Sequence, residues 1–255
     1  MISKAQITRR ASEEGLAART VERDYVLAHL VAAIGMSETP THLVFKGGTA
    51  LRLCYVKDFR YSADLDFSIL DGSTEEGLRT VRGALQDVAG TISQLGLTDD
   101  DPPRISYVGP LGRERTLKLD IADDEYVVNT EHRSLLLRWP DLPEAARVHV
   151  YTPLEIAAEK LRCVLQRLQC RDLFDLSTLF NEAGVEAKEA AALFERKAKH
   201  RGFDPKSFAA RYKERVTQYE KRWEAELGEH LPQTVPHFGD IERRVARHLR
   251  RARML

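Results

Sequence analysis

The first 150 residues of the chain alternate between two hydrophobic periods. Apolar residues recur every three or four positions in some stretches, as on one face of a helix, and every second position in others, as on one face of a strand. Glycine- and proline-containing turns separate these stretches. The predicted elements are helices at 18–35, 49–56 and 75–95 and strands at 43–45, 64–70, 104–108 and 115–121, with a last apolar stretch at 147–152.

The remainder of the chain has an almost wholly helical pattern. Pro153 can begin a helix because its missing N–H costs nothing in the first turn. Later breaks in the pattern lie near Gly184, Gly202–Pro205 and Gly228–Pro236. We therefore predict an α/β (α+β) domain over residues 1–151, with a mixed sheet flanked by helices and helices at its N-terminus. A helical domain over residues 152–255 follows it.

Bulk properties exclude several classes of protein. No stretch approaches the roughly 20 consecutive apolar residues that a transmembrane helix requires, and the N-terminal residues lack the apolar core of a signal peptide. The three cysteines form no C-x-x-C pair, and no two histidines have the H-x-x-x-H spacing of a zinc site. We expect a cytoplasmic protein with no membrane segment.

Two aspartates next to a glycine turn are the first candidate chemistry. Asp64 and Asp66 lie one residue apart on a predicted strand, so both carboxylates project to the same side of the sheet. Such a pair repels itself unless a cation lies between, and Mg²⁺ prefers oxygen ligands. Gly47 and Gly48 end an apolar strand and open a helix whose first N–H groups favour a phosphate. These features together indicate chemistry on a nucleoside triphosphate.

Four motifs in a fixed order resemble those of one protein family. KGGTALRLCY followed by RYSADLDF, within residues 46–67, resembles the AbiEii/MenT family of toxin nucleotidyltransferases, part of the polymerase-β-like superfamily. Residues 152–176 resemble that family's helical motif E-x-x-A-x-K-L followed by R-D-x-x-D-L. The resemblance implies a toxin that transfers a nucleoside monophosphate from an NTP to the 3′ end of tRNA and so blocks aminoacylation and translation. It also implies a cognate antitoxin.

A third carboxylate is required if two metal ions are to be held. Asp120 is a lone acid on the apolar strand LKLDI, which is costly unless it faces solvent or a cation. The resemblance implies a third acid on a strand next to the D-x-D strand. The hypothesis is that Asp64 and Asp66 bind one Mg²⁺ and that Asp66 and Asp120 bind a second, with Mn²⁺ as a substitute. The alternative is that these acids simply face water on an edge strand.

Other candidates surround the glycine turn, which could also be an ordinary tight turn. Lys46 and Thr49 flank it, and Thr49 is a candidate helix N-cap or phosphate contact. Gly47, Gly48, Lys46 and Thr49 are assigned to substrate binding, as is Ser62. The resemblance makes Ser62 a candidate point of regulation, for example by phosphorylation, which would oppose triphosphate binding by negative charge. The alternative is a surface serine at the end of a loop.

The predicted helix at 153–169 carries Lys160 among apolar residues. This lysine either extends its ammonium group to the rim or contacts the triphosphate, and in the family the matching lysine is implicated in activity. Asp172 and Asp175 lie three apart on one side of the next helix. They could hold Lys160 or Arg171 in position, contact the nucleotide, or form an ordinary salt bridge.

The last 15 residues are rich in arginine and contain a single acid. The predicted helix there could bind an RNA backbone, or its arginines could simply form a solvated face. Two further functions remain open for the whole chain. One is the nucleotidylation or phosphorylation of a protein hydroxyl at the same site, and the other is a non-catalytic NTP-binding module that acts through a partner.

Overall fold

The structure is a computed structural model and describes residues 2–37, 42–88, 90, 92–232 and 234–255. Contacts divide the chain into two compact units. The first unit contains Met1–Asp124 and Glu131–Val150, and the second contains Glu125–Thr130 and Tyr151–Leu255. No helix in the described ranges is long and apolar enough to cross a membrane.

The first unit contains the sheet and the N-terminal helices. Its elements are α1 (Lys4–Glu14), α2 (Ala18–Met36), β1 (Leu43–Lys46), α3 (Gly47–Ala50) continued by a π-helical turn (Leu51–Tyr55), β2 (Asp64–Ile69), α4 (Thr74–Val88), β3 (Ser93–Leu97), β4 (Arg104–Val108), β5 (Glu114–Ala122), β6 (Thr130–Ser134) and β7 (Arg147–Tyr151). The strands form one seven-stranded sheet in the order β3-β4-β5-β2-β1-β7-β6.

The sheet is mixed, as predicted. Strand β2 lies at its centre, antiparallel to β1 and parallel to β5, and β1 is parallel to β7. Val44, Phe45, Leu65 and Phe67 are completely buried on these central strands, because helices cover the sheet and apolar burial drives their packing. Helix α2 is buried along nearly all of its length.

Two N-terminal helices hold the loop that leads into β2. Asp24 of α2 forms a buried ion pair with Arg52, and the Arg52 guanidinium lies 3.5 Å from the centre of the Tyr61 ring. The Tyr61 hydroxyl donates to Glu14 of α1 at 2.6 Å. Helices were predicted at the N-terminus, but no bounds were predicted for α1, although Ser3 and Gln6 form a capping box at its start and Gly15 ends it in the left-handed conformation.

The prediction of one helix over residues 75–95 is wrong at its C-terminal end. Helix α4 ends at Val88, and Ser93–Leu97 form β3 at the edge of the sheet. Within that range, residues 89 and 91 lie outside the described residues. Ile92 fits the apolar period of the predicted helix. It is buried, however, immediately before β3, the strand that pairs with β4. Strand β6 was not predicted either.

The second unit is helical. Its elements are α5 (Pro153–Gln166), α6 (Cys170–Asn181), α7 (Ala187–His200), a 3₁₀ turn (Pro205–Ser207), α8 (Phe208–Leu227) and α9 (Phe238–Arg251). Helix α5 begins at Pro153, as predicted, and Thr152 caps it by accepting a hydrogen bond from the Glu155 N–H. It ends three residues before the predicted position 169.

A division of the chain at residue 151 alone does not account for residues 125–130. These residues belong to the second unit because its buried charges hold them. Glu125 pairs with Arg162 and with Arg201, and Glu155 accepts hydrogen bonds from the N–H groups of residues 128 and 129. The segment therefore satisfies charged groups of helices that follow it in sequence by 26 residues or more.

Candidate functional site

Three carboxylates share one face of the sheet in the first unit. Asp66 of β2 and Asp120 of β5 are directly paired in the parallel register, so their side chains project to the same side. Asp64 precedes Asp66 by two residues on β2 and therefore shares that face. Lys46 of β1 is paired with Asp66 in the antiparallel register, so this cationic side chain shares the face of the acids.

The neighbouring charges act on the pKa of Asp66. Although Asp66 is only partly inaccessible to solvent, surrounding protein atoms desolvate it and raise its pKa. The charges of Asp64 and Asp120 raise it further and Lys46 and Lys118 oppose them, with a net value of about 6. Burial and its acidic neighbours thus disfavour the charged form of Asp66.

The three acidic side chains are spread apart on this face. Within the ranges that the structure describes, no three His, Cys, Asp or Glu side chains are gathered closely enough to hold a metal. Asp120 lies 3.7 Å from the Lys118 ammonium, and both side chains are about half exposed. A cation would therefore require Asp120 to turn away from Lys118, which costs little because exposed ion pairs contribute only ~0–1 kcal/mol.

The glycine pair lies against this acidic face. Gly47 has φ of +80°, and a Cβ built on it would lie 2.7 Å from Asp66 Oδ2. A Cβ on Gly48 would lie 2.5 Å from Nη2 of Arg60. The backbone conformation therefore favours glycine at Gly47, and at both positions a Cβ would displace the end of a charged side chain.

The prediction of Thr49 as the helix N-cap is wrong. The helix begins two residues earlier, with Lys46 at the cap position, because the chain already turns at Gly47. Thr49 is buried, and its hydroxyl donates a hydrogen bond of 2.6 Å to the Asp64 carbonyl oxygen. Thr49 therefore fastens the glycine turn to the start of the acidic strand.

Ser62 is not a surface serine. Only 7% of it is exposed, and a Cβ on Gly48 would lie 3.3 Å from its hydroxyl oxygen. The residue therefore lies beside the glycine turn, two positions before Asp64. Its phosphorylation stays a prediction.

Arg60 was not predicted as a site residue. It is 2% exposed, its guanidinium lies against Gly48, and Nη1 donates to the Tyr61 carbonyl oxygen at 3.1 Å. Arg60 is within the motif RYSADLDF, but neither charge nor spacing in that motif indicates that the arginine folds back toward a turn twelve residues earlier. It adds positive charge beside the glycine turn.

Lys160, Asp172 and Asp175 come together in the second unit. The Lys160 ammonium lies 2.9 Å from Asp172 and 2.7 Å from Asp175, and all three side chains are buried. Arg167 also pairs with Asp172, at 2.9 Å. Of the roles considered for the two acids, the structure has them hold Lys160 by charge-assisted hydrogen bonds. The ammonium does not extend to the rim.

These contacts also control the charge state of Asp172. Burial alone would raise the pKa of its carboxyl group. The ammonium of Lys160 and the guanidinium of Arg167 outweigh burial and hold that pKa well below its usual range. Asp172 is therefore ionised at neutral pH and balances the buried lysine.

Comparisons with known proteins agree on the fold. MenT4, a nucleotidyltransferase toxin from Mycobacterium tuberculosis, superposes with a TM-score of 0.77 at 21% sequence identity, over 100% of this chain and 91% of its own. JHP933 from Helicobacter pylori superposes with a TM-score of 0.56 at 19% identity, over 93% of each chain. None of the curated proteins matches the sequence.

A family model matches most of the chain. The nucleotidyl transferase AbiEii toxin of type IV toxin–antitoxin systems matches residues 29–247, a range that includes the three acids, the glycine turn and the buried lysine cluster. Because this match covers far more than half of the sequence, the chain belongs to the AbiEii family of toxin nucleotidyltransferases.

Proposed function

We propose that the protein transfers a nucleoside monophosphate from an NTP to the 3′ hydroxyl of tRNA in a metal-dependent reaction. The acceptor oxygen bonds to the α-phosphorus, the bond from this phosphorus to the α–β bridging oxygen breaks, and pyrophosphate leaves with its electron pair. The hydroxyl proton passes to solvent. The observation that supports this best is the alignment of Asp64, Asp66 and Asp120 on one face, beside the Gly47–Gly48 turn.

The donor chemistry of the acidic face suits a hard divalent cation such as Mg²⁺ or Mn²⁺. Burial and the charges of Asp64 and Asp120 raise the pKa of Asp66, and a cation beside it would stabilise its ionised form. Asp64, Asp66 and Asp120 would hold the ions. Divalent cations bound there would activate the acceptor hydroxyl and offset charge on the α-phosphate.

Basic groups and backbone amides are assigned to the triphosphate. Lys46 shares the face of the acids, and Arg60 lies against Gly48, so both place positive charge next to the turn. The left-handed conformation of Gly47 lets the chain turn there without a Cβ that would displace Asp66. In the second unit, Asp172 and Asp175 fix the orientation of Lys160, the residue that family resemblance implicates in activity.

A toxin that modifies the 3′ end of tRNA would stop translation, because an altered end cannot be aminoacylated. A cognate antitoxin and an NTP substrate are consistent with the family. We propose tRNA as the acceptor from the same family membership, and a cytoplasmic location where tRNA and nucleotides are present.

The test incubates the purified protein with each α-³²P-labelled NTP, Mg²⁺, total RNA and a protein lysate, and then resolves RNA and protein. Label on RNA of tRNA size supports the proposal, and label on protein would replace it with nucleotidylation of a protein hydroxyl. A parallel incubation with γ-label detects phosphorylation. No label at all would leave a non-catalytic NTP-binding module. Asp66→Asn should abolish labelling, whereas Asp100→Asn, an exposed acid outside the acidic face, should not.

A further inference from the structure

The last helix of the second unit has two chemically distinct faces. Its buried residues Phe238, Ile241, Val245 and Leu249 pack toward helices α6, α7 and α8. With about 100° between successive residues of a helix, its five exposed arginines fall within an arc of about 120° on the opposite side. We call these residues the arginine stripe: Arg243, Arg244, Arg247, Arg250 and Arg251.

The charge of this stripe is largely unbalanced by acids. Arg243 pairs with Asp240, and in the described parts of the chain no carboxylate lies within ion-pairing distance of the other four. Glu242, the remaining acid of the helix, lies to one side and accepts a hydrogen bond from Tyr212. Burial lowers the pKa of the His248 imidazole, Arg251 and Arg247 lower it further, and Glu186 opposes them.

We propose that the arginine stripe binds the phosphate backbone of the RNA acceptor. The guanidinium group presents a planar fork of donors that matches phosphate oxygens, and all five cations here are arginine rather than lysine. Side chains three and four residues apart on a helix are about 5–6 Å apart at their Cβ atoms, so the stripe can engage successive phosphates. This inference rests on the proposed function, because it assumes that the acceptor is RNA.

A membrane surface and a protein partner both fit the arginine stripe less well than RNA does. An amphipathic helix that lies on a membrane inserts its apolar face into the lipid, but Val245 and Leu249 are fully buried within the unit. The centre of a protein–protein interface is typically poor in charge and rich in aromatic anchors, whereas no apolar residue lies among the arginines of the exposed arc. A repeating phosphate chain requires only the charge and spacing that the stripe provides.

The test measures binding of fluorescein-labelled total tRNA by fluorescence anisotropy between 50 and 300 mM KCl, a range of about sixfold in salt chosen from the expected counterion effect. NTP and divalent ions are left out. The variant Arg244→Gln/Arg247→Gln/Arg251→Gln removes three charges of the arginine stripe. A matched control, Lys188→Gln/Lys199→Gln/Lys213→Gln, removes the same charge from exposed lysines of α7 and α8.

We expect the stripe variant to bind tRNA about 10- to 100-fold more weakly near 100 mM salt, and to flatten the slope of log affinity against log salt by about 2 to 3. The control should change both by much less. Equal losses in the two variants, or no loss in either, would overturn the proposal. Competition by poly-glutamate as effective as that by unlabelled tRNA would overturn it in favour of an acidic protein partner.

Failure of this inference and failure of the proposed function are distinguishable. The binding assay involves no transfer, so RNA binding through the stripe can be found in a protein that labels no RNA, which would refute only the transfer reaction. Conversely, RNA labelling that is unchanged in the stripe variant at low RNA concentration would refute only the stripe. Circular dichroism of both variants checks that α9 is intact, and Gln has nearly the helix propensity of Arg.

Discussion

Replacing Lys160 by methionine should destabilise the second unit strongly. Lys160 is 6% exposed, and its ammonium is held by the carboxylates of two residues that are completely buried. Removal of one partner from a buried charge cluster costs about 3–5 kcal/mol, because an uncompensated charge stays behind. After the substitution Asp172 keeps Arg167 as a partner.

Arg167→Met is the matched comparison. The Arg167 side chain is 45% exposed and pairs with the same Asp172, which would keep Lys160 as a partner. Solvent screens the exposed guanidinium, so its loss should cost only about 0–1 kcal/mol. The structure therefore predicts a difference of about 2–5 kcal/mol in unfolding free energy between two substitutions that each remove one cation from Asp172.

Tryptophan fluorescence can follow the second unit separately. The chain has two tryptophans. Trp139 is in the first unit, and Trp223 is buried in the second, where its N–H donates to the Pro236 carbonyl oxygen. Urea unfolding in a Trp139→Phe background therefore reports on the second unit, whereas a whole-chain signal from two units need not be two-state. If Lys160→Met costs no more than Arg167→Met, the argument from a buried, doubly held ammonium fails.

Three other changes test other parts of the structure. Gly47→Ala and Gly112→Ala both place a Cβ at a residue with positive φ, so each should cost ~1–2 kcal/mol of stability. Gly47→Ala also places that Cβ against Asp66 and should abolish nucleotide transfer. Gly112→Ala has nothing within 4 Å of its Cβ and should retain activity. Asp64→Asn should weaken the binding of Mg²⁺–NTP measured by calorimetry, and unchanged binding would count against the metal assignment. Because the pKa of Asp172 is lower in the folded than in the unfolded state, its contribution to stability is present above about pH 4 and lost below it. Asp172→Asn should therefore reduce the acid dependence of Trp223-detected unfolding, and an unaltered pH profile would contradict this.

Local patterns were sufficient where the chemistry is local. The alternation of β2 indicated that Asp64 and Asp66 share a face, and the glycine pair before a helical pattern indicated a turn. The position of Asp120 relative to them depends on the parallel pairing of β5 with β2, which is not contained in either strand. Family resemblance supplied that information.

The failures have a common physical origin in long-range contacts. Residues 125–130 connect β5 to β6 of the sheet but satisfy Arg162, Arg201 and Glu155, which only the folded helices bring near. Likewise, Ile92 continues the apolar period of α4 in sequence, although α4 ends at Val88 and β3 begins at Ser93. Period and propensity describe a segment by itself, whereas pairing across the fold determines its final state.

Arg60 shows why a buried charge is the hardest feature to derive from sequence. A charged residue is ordinarily expected at the surface, yet this guanidinium is 2% exposed and lies against Gly48. A buried cation is tolerated where fixed hydrogen bonds or nearby anions compensate its lost hydration. At this position the Tyr61 carbonyl oxygen provides one such partner, and the triphosphate of the proposed reaction would bring negative charge to the adjacent turn. The burial of this guanidinium therefore depends on contacts made across the fold, which neither the charge nor the spacing of RYSADLDF reveals.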